Sequence, residues 1–263
     1  FFRDFLIVTE EKNMEKILSN VHTHTIFSDG KNTAEENILS AISLGMDTLG
    51  FSDHSYTPCD LSYCMKADAL PAYKAEISAL KEKYRDSIEV LCGMEQDYYS
   101  DPPAESLDYI IGSVHYVKKN GVYIAVDESA QVQQEDVRRY YAGDFYAFAE
   151  NYFHTVSDVV RKTNADIIGH FDLVSKFNEK NHFFDEDNPR YIAAWQSAAD
   201  ALLTTGKPFE INTGVMSRGY RTEPYPSMPI YEYLKRGGAK FILSSDSHNP
   251  KTLCWKFDDS ENR

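Results

Sequence analysis

Short β-type runs alternate with longer helical stretches along the whole chain of 263 residues. The β-type runs, bounded by turn residues, lie near Ser19–Thr25, Thr48–Asp53, Glu89–Glu95, Tyr109–Val117, Asp166–Asp172, Pro208–Asn212 and Lys240–Asp246. The helical stretches lie near Thr33–Leu44, Lys66–Tyr84, Tyr141–Thr163, Pro189–Thr205 and Met228–Arg236. Strand and helix alternation predicts a parallel sheet, and seven strands in one chain favour a barrel over an open sheet.

Two long connections interrupt this alternation, and both follow the end of a predicted strand. They read SYTPCDLSYCMK after the second strand and KKNGVYIAVDESAQVQQEDVRRYYAGD after the fourth. Long loops in compact domains are often functional, so we expect these two to form a lid or a substrate pocket. Tyr56, Tyr63 and Tyr123 in these loops are candidates for contacting the part of a substrate that does not react.

The net charge of -14 limits the kind of partner that the chain can bind. Nucleic acids and anionic membranes are bound through clustered Lys and Arg, and the sequence has no basic run of that kind. We therefore expect a small-molecule partner, with no nucleic acid and no membrane. The same acidity would repel an anionic substrate unless bound cations reversed the local charge, since metal ions are often the largest charges in a site.

One domain is expected, because barrels of this length are commonly single domains. Met14 is a candidate natural start, so residues 1–13 are interpreted as an N-terminal extension and residues 14–263 as the barrel domain. The four cysteines form no C-x-x-C pair, which fits a reducing compartment. The chain shows neither an export signal nor an apolar run of membrane-spanning length, so the expected location is the cytoplasm.

Histidines and acids gather at the C-terminal ends of the predicted strands. Six of the eight histidines lie at or just beyond such an end, namely His22, His24, His54, His115, His170 and His248. Four acids share these positions, namely Asp29, Asp53, Glu95 and Asp246. In a barrel of parallel strands these ends meet at one face, so the sequence predicts a single site there.

His22 and His24 are two residues apart, so on a strand both imidazoles point to the same face and can reach one ion. Taken alone, the pair fits two ordinary polar residues on a half-exposed strand equally well. The whole set is harder to explain as structural, since buried ionisable groups need partners. Imidazole and carboxylate ligands without thiolate suit Zn, Mn or Fe, and the number of candidate ligands predicts two or three divalent ions.

At these residues the sequence resembles the polymerase-and-histidinol-phosphatase (PHP) superfamily of metal-dependent phosphoesterases. The matching motifs occur in order along nearly the whole chain and read HTHTIFSDG, GFSDHS, GMEQDY, GSVHYV, IIGHFDLV and SSDSH. Within the superfamily, GSVHYV, GHFDLV and the EINTG stretch with its following arginine are most similar to the histidinol-phosphatases. The resemblance implies a distorted (βα)7 TIM-like barrel with a trinuclear metal site at the C-terminal ends of the strands.

Carried over by position, the resemblance implies a ligand set for each of three ions. One ion would be held by His22, His24, Glu95 and Asp246, a second by Glu95, His115 and His170, and a third by Asp29, His54 and His248. Asp53 and Asp97 are given no ligand role. We expect them to orient the imidazoles of the site, although two solvated acids in loops fit the sequence equally well.

Three cations are candidates for contacting a substrate phosphate. Arginine binds phosphate oxygens with two parallel hydrogen bonds, and the resemblance places an arginine at Arg218, which makes it the first choice. Lys176, after GHFDLV, is the second. Arg221 fits a solvated surface cation better. The turn at Asn212 reads Asn-Thr-Gly where family members usually read Asn-Thr-Ser-Gly, which leaves the loop register open.

The resemblance implies hydrolysis of L-histidinol phosphate to L-histidinol and phosphate in histidine biosynthesis. The expected nucleophile is a hydroxide that bridges two of the ions, because metal ions lower the pKa of bound water. No protein nucleophile is needed, and the sequence has no G-x-S-x-G motif. Two alternatives stay open: another PHP phosphoesterase acting on a nucleotide, oligonucleotide or phosphotyrosine substrate, and a non-catalytic metal-binding module.

Overall fold

The computed structural model describes residues 18–103 and 106–260, with side chains through Asp258. The interpreted extension, residues 1–13, lies outside the described residues, so the boundary at residue 14 stays a prediction. No helix in the two described ranges has both the length and the apolar character of a membrane span.

Seven parallel strands form a nearly closed barrel, and this confirms the predicted fold class. In sheet order they are β1 (Ser19–Asn20), β2 (Thr48–Phe51), β3 (Glu89–Asp97), β4 (Tyr109–Ser113), β7 (Ile167–Ile168), β8 (Phe209–Asn212) and β9 (Phe241–Ser244). Each strand pairs in parallel with the next. The chain beyond β1 completes the circle, because Thr23 pairs in parallel with Ser247 beyond β9.

The fourth predicted strand and the connection after it were assigned wrongly. The expected strand Tyr109–Val117 ends at Ser113, and the chain then forms a separate antiparallel hairpin of β5 (Tyr116–Lys119) and β6 (Val122–Ala125). Asn120 and Gly121 turn the hairpin with φ angles of 51° and 84°. An Asn-Gly pair between two apolar runs is a strong hairpin signal, and it was present in the sequence.

Ten helices are found in the described part of the chain. They are α1 (Ala34–Ser43), α2 (Leu70–Tyr84), α3 (Ala130–Tyr140), α4 (Phe145–Val156), α5 (Val159–Thr163), α6 (Asn178–Asn181), α7 (Pro189–Leu203), α8 (Gly214–Ser217), α9 (Met228–Arg236) and α10 (Phe257–Ser260). Two short 3-10 turns occur at Leu173–Ser175 and Pro250–Thr252. Thr33 caps α1 through a reciprocal capping box with Glu36.

The predicted helix Tyr141–Thr163 is two helices. Ala142 and Gly143 have positive φ angles, so the chain leaves α3 in left-handed backbone before Asp144 caps the start of α4. The helix ends at Val156, and α5 begins three residues later. The predicted start of α2 was also early, because the helix begins at Leu70 with a proline in its first turn, where proline is well tolerated.

A small apolar cluster fills the barrel below the site. Val21, Tyr109, Ile111, Ile167 and Ile242 form it, and all are buried. The Tyr109 hydroxyl donates to the Val21 carbonyl at 2.5 Å and lies 2.9 Å from the Phe51 carbonyl. Two glycines make room for the ring, since a Cβ added at Gly50 would lie 2.5 Å from the Tyr109 hydroxyl oxygen and one at Gly93 would lie 2.3 Å from its Cζ.

Because the Tyr109 ring occupies the space of a side chain at Gly93, we expect Gly93→Ala to destabilise the barrel. Overpacking of this kind typically costs about 1–3 kcal/mol. Urea unfolding followed by circular dichroism measures the difference. In a Tyr109→Leu background, where the ring is absent, the same substitution should cost clearly less. An equal cost in both backgrounds would show that the ring does not cause it.

Candidate metal centre

The barrel brings the predicted ligands to its C-terminal face. The position of each side chain follows from the strand that it belongs to or comes after. Glu95 lies near the end of β3, His54 comes three residues after β2, and His115 comes two residues after β4. His170 and Asp246 also come two residues after their strands, β7 and β9. Because parallel strands all end at the same rim, residues up to 226 positions apart in the sequence meet there.

The Glu95 carboxylate lies at the centre of this face. It is 1% exposed, and each of its oxygens lies near imidazole nitrogens. The five nitrogens are His170 Nε2 at 2.8 Å, His54 Nδ1 at 2.9 Å, His22 Nε2 at 3.2 Å, His115 Nε2 at 3.5 Å and His24 Nε2 at 3.6 Å. One carboxylate is therefore shared by imidazoles from four other strand ends.

Asp246 and Asp29 extend the cluster on the side of His24. Asp246 Oδ1 lies 3.2 Å from His24 Nε2 and 3.7 Å from His22 Nε2. Asp29 Oδ2 lies 3.1 Å from His248 Nε2, and its Oδ1 lies 3.7 Å from His54 Nε2. Asp29 Oδ1 also lies 3.8 Å from His24 Nδ1, so the two carboxylates face opposite ring nitrogens of His24.

Three groups of these side chains have ligand atoms close enough to hold one ion each. Within each group the ligand atoms lie within 4.8 Å of one another. The groups are His24 with Asp29, His54 and His248; His22 with His24 and Asp246; and His54 with Glu95 and His115. Most residues of each group also belong to one of the three ligand sets that the resemblance implied. His24 and His54 each belong to two groups, and His170 reaches the third only through its contact with Glu95.

Unpaired buried atoms show that a cation fits this arrangement. His22 Nε2, both ring nitrogens of His24, Glu95 Oε2 and His170 Nδ1 are buried and lack a hydrogen-bond partner. Buried polar groups without partners are costly, and several of these atoms converge on one region. Nitrogen and carboxylate donors without thiolate are the set that zinc, manganese or iron accepts. The described residues therefore form a site that is suited to divalent ions.

The electrostatics of the site favour carboxylates in their charged form. Burial by itself raises the pKa of Glu95, but the imidazoles of His22 and His54 outweigh burial and hold that pKa well below its usual range. The pKa of Asp246 is likewise lowered, because Arg218 and His22 outweigh the effect of burial. Both carboxylates are thus poised to bind cations.

His24 is the imidazole best suited to act as a neutral ligand. Burial, together with the neighbouring imidazoles of His248 and His54, lowers its pKa to about 3. Its ring stacks on that of His248 with centroids 4.2 Å apart. A histidine that stays neutral keeps a nitrogen lone pair for a metal ion.

Asp97 and Asp53 differ in what they position. Asp97 Oδ2 accepts from the backbone N–H of His115 at 3.1 Å and lies 3.3 Å from its Nδ1, which is the contact expected of a group that orients an imidazole. Asp53 accepts instead from the backbone and side chains of Thr25 and Ser28. It therefore fixes the loop that carries Asp29.

The three candidate cations lie in different surroundings. Arg218 donates to Asp246 Oδ2 at 2.8 Å and to the Asp246 carbonyl at 3.0 Å, beside the metal groups. Lys176 Nζ donates to Asp127 Oδ2 at 2.8 Å, so its charge is already neutralised. The interpretation of Arg221 as a surface cation was wrong. It is buried and pairs with Asp172, which stabilises the interior around the loop after β7.

A cavity of about 330 Å³ opens beside the metal groups. Arg218, Asp246 and His248 lie on its wall near the candidate ligands. The two long connections contribute acidic and aromatic side chains to the wall, namely Asp60, Tyr63, Asp127 and Glu128. Tyr116 in β5 and Lys176 after β7 also line the cavity. Of the three tyrosines that the sequence proposed for this role, Tyr63 lines the cavity, whereas Tyr56 and Tyr123 are exposed side chains outside its described wall.

The sequence is similar to proteins of a known family. Residues 20–214 match the model of the PHP domain. The chain belongs to the PHP domain family. A relative in Deinococcus radiodurans, named "Probable histidinol-phosphatase", is 30% identical over 259 residues, which cover 92% of this chain and 91% of the relative.

Two solved structures share the fold of this PHP domain. The crystal structure of the hisK protein from Listeria monocytogenes has a TM-score of 0.80 at 20% identity, covering 92% of this chain and 99% of that one. The histidinol phosphate phosphatase of Lactococcus lactis, in complex with zinc, L-histidinol and phosphate, has a TM-score of 0.65 at 23% identity, covering 89% and 87%. Both similarities support the PHP barrel.

One residue of the PHP site was missed from the sequence. Glu210 in β8 is 1% exposed and contacts His22 Nδ1 from the side opposite Glu95. A signal was available, because an acid in the middle of a fully buried four-residue strand needs a charged or hydrogen-bonding partner inside the barrel.

The grouping predicts that Asp29 serves one ion and not the others. Asp29→Ala should therefore remove or weaken one metal equivalent while the ion near His22 stays bound. Elemental analysis after gel filtration, together with chelator competition, measures both effects. Asp86→Ala, at a carboxylate whose side chain is 92% exposed, is the matched control and should change neither. If Asp29→Ala emptied all positions equally, or none, this grouping of ligands would be wrong.

Proposed function

We propose that this PHP domain is a metal-dependent phosphomonoesterase that hydrolyses L-histidinol phosphate to L-histidinol and phosphate. The observation that carries the proposal is the shared Glu95 carboxylate with its surrounding imidazoles and acids, next to a cavity lined by Arg218 beside the candidate ligands and by the acids Asp60, Asp127 and Glu128 of the two long connections. The names of the relatives point to the same reaction. The reaction would place the protein in histidine biosynthesis.

The proposed centre would hold two or three divalent ions of Zn, Mn or Fe. When bound, such ions lower the pKa of a water molecule and offset charge on phosphate oxygens. The side chains of the protein would position these ions. His22, His24 and Glu95 would hold ions in the buried interior, where little solvent screens their charges.

Arg218 is the proposed phosphate contact of the chain itself. It lies at the cavity wall between Asp246 and His248, so a phosphate near the ions would meet its guanidinium. Asp246 outweighs burial and raises the pKa of Arg218, which keeps the side chain charged. Lys176 remains a proposed second contact, and it would have to exchange its bond with Asp127 for one with the substrate.

The acidic wall supports a substrate that carries a positive charge. Asp60 accepts from the Tyr116 hydroxyl at 2.7 Å and from the Ser62 backbone N–H at 2.8 Å, and both bonds leave its negative charge in place. L-Histidinol phosphate offers an ammonium group a few bonds away from its phosphate. A nucleotide or an oligonucleotide would instead bring further negative charge to this wall and to a chain of net charge -14.

We propose that the protein works in the cytoplasm. All four of its cysteines are free thiols, which is typical of a reducing compartment.

A substrate panel tests the proposed activity. Protein loaded with Mn or Zn should release phosphate from L-histidinol phosphate with a kcat/KM at least about 100-fold above that for generic monoesters, and removal of the metal by a chelator should abolish the reaction. Release of phosphate is measured colorimetrically. Similar kcat/KM values for all substrates would contradict the proposed specificity. Inactivity of the metal-loaded protein toward all of them would favour a non-catalytic metal-binding module.

The acidic wall yields a separate prediction. Asp60→Asn removes the charge while it keeps the size, so the ratio of kcat/KM for L-histidinol phosphate over that for p-nitrophenyl phosphate should fall about tenfold, the size expected for one lost charge-assisted contact. Asp86→Asn serves as the control and should leave the ratio unchanged. An unchanged ratio in Asp60→Asn would show that this carboxylate does not bind the ammonium group of the substrate.

A further inference from the structure

Glu210 is a buried carboxylate whose hydrogen-bond partners among the described residues are donors or can act as donors. Its Oε1 contacts His22 Nδ1 and accepts from the Ser244 hydroxyl. Its Oε2 accepts from the backbone N–H of His170 at 2.8 Å and from Asn212 Nδ2 at 3.0 Å. Four partners from four strand ends thus point at one side chain, and Glu210 itself is not among the residues that line the cavity.

Two of these donors have fixed orientations. A backbone N–H cannot become an acceptor. The Asn212 amide is fixed as well, because its Oδ1 accepts from the Gly214 backbone N–H at 2.9 Å, which leaves Nδ2 facing Glu210. The position of Oε2 therefore admits an oxygen and excludes an N–H group.

We propose that Glu210 is a positioning residue that keeps the proton of His22 on Nδ1 and so leaves Nε2 free for the ion near Asp246. His22 Nε2 is buried without a hydrogen-bond partner and lies 3.2 Å from Glu95 Oε2 and 3.7 Å from Asp246 Oδ1. A carboxylate on the far nitrogen of a metal-binding histidine fixes its tautomer and its ring orientation. The same carboxylate fixes the backbone of His170, so it serves two neighbours of Glu95.

Glutamine at this position has no arrangement that satisfies all partners. With its oxygen toward His170 and Asn212, its NH2 group faces His22 Nδ1, which then has to accept and to carry its proton on Nε2. With its oxygen toward His22, the NH2 group faces two fixed donors. The Ser244 hydroxyl can rotate in either case. Loss of the carboxylate therefore acts on His22, and through it on one ion.

The functional consequence rests on the proposed metal centre, whereas the test needs no turnover of substrate. In zinc-loaded Glu210→Gln, we expect one zinc equivalent to be lost or to bind about 10- to 100-fold more weakly, the size typical of such partners. The other equivalents should be retained. Zinc content by elemental analysis and affinity by chelator competition measure this. The matched control is Glu89→Gln, at an exposed glutamate at the start of β3 whose carboxylate accepts a hydrogen bond from Thr48 Oγ1 and lies away from the candidate ligands.

A second measurement applies to the unmodified protein and decides the matter even if the variant does not fold. In the zinc-loaded protein, ¹⁵N NMR of the imidazoles should show His22 with a slowly exchanging proton on Nδ1 and none on Nε2. Zinc bound through Nδ1 of His22, wild-type zinc affinity in Glu210→Gln, or an equal loss at all positions would each overturn the proposal. Inactivity toward L-histidinol phosphate with the expected zinc and NMR results would contradict only the proposed function.

Discussion

The site depends on the contact of one carboxylate, Glu95, with five imidazoles. Those imidazoles come from four other strand ends, so the contact exists only if the strands surround Glu95 on nearly all sides. The parallel bridge between Thr23 and Ser247 completes this enclosure and brings the first and last strands together. The arrangement of the site therefore depends on closure of the barrel.

Below that contact, the barrel is narrow and tightly filled. The ring of Tyr109 lies over the glycines of two neighbouring strands, and its hydroxyl bonds to carbonyls of the chain beside it. Above it, the inward positions become polar: Glu95, Glu210 and Asp246 replace apolar side chains. The same alternation of residues along each strand thus builds an apolar floor and a polar rim.

The charge distribution explains how an acidic chain can bind an anion. The proposed ions would offset the carboxylates among the candidate ligands, beside which Arg218 adds a further positive charge. The long connections keep the negative charges of Asp60 and Glu128 at the cavity. A substrate with a phosphate at one end and a positive charge at the other matches this gradient, whereas a polyanion does not. Selectivity in such a pocket comes from the sign of the charge as much as from shape.

The sequence was enough to predict the seven parallel strands and the residues at their ends, because hydrophobic alternation and strand polarity are local properties. It also contained the Asn120-Gly121 signal of the hairpin, which was overlooked because the segment lies inside a long polar connection. The position of Arg221 could not be predicted, since its burial depends on Asp172, which is 49 residues away and meets it only in the folded barrel.

Sequence by itself thus determined the barrel, and it identified the histidines and acids that gather at one of its faces. The tertiary structure decided how these residues are shared between the groups. His24 and His54 each belong to two groups, and Glu210 contacts the Nδ1 atom of His22. The physical reason is the difference between local and long-range contacts. Spacing along a strand fixes which way a side chain points, but distances between different strands depend on tilt and closure of the whole barrel, which no short stretch of sequence encodes.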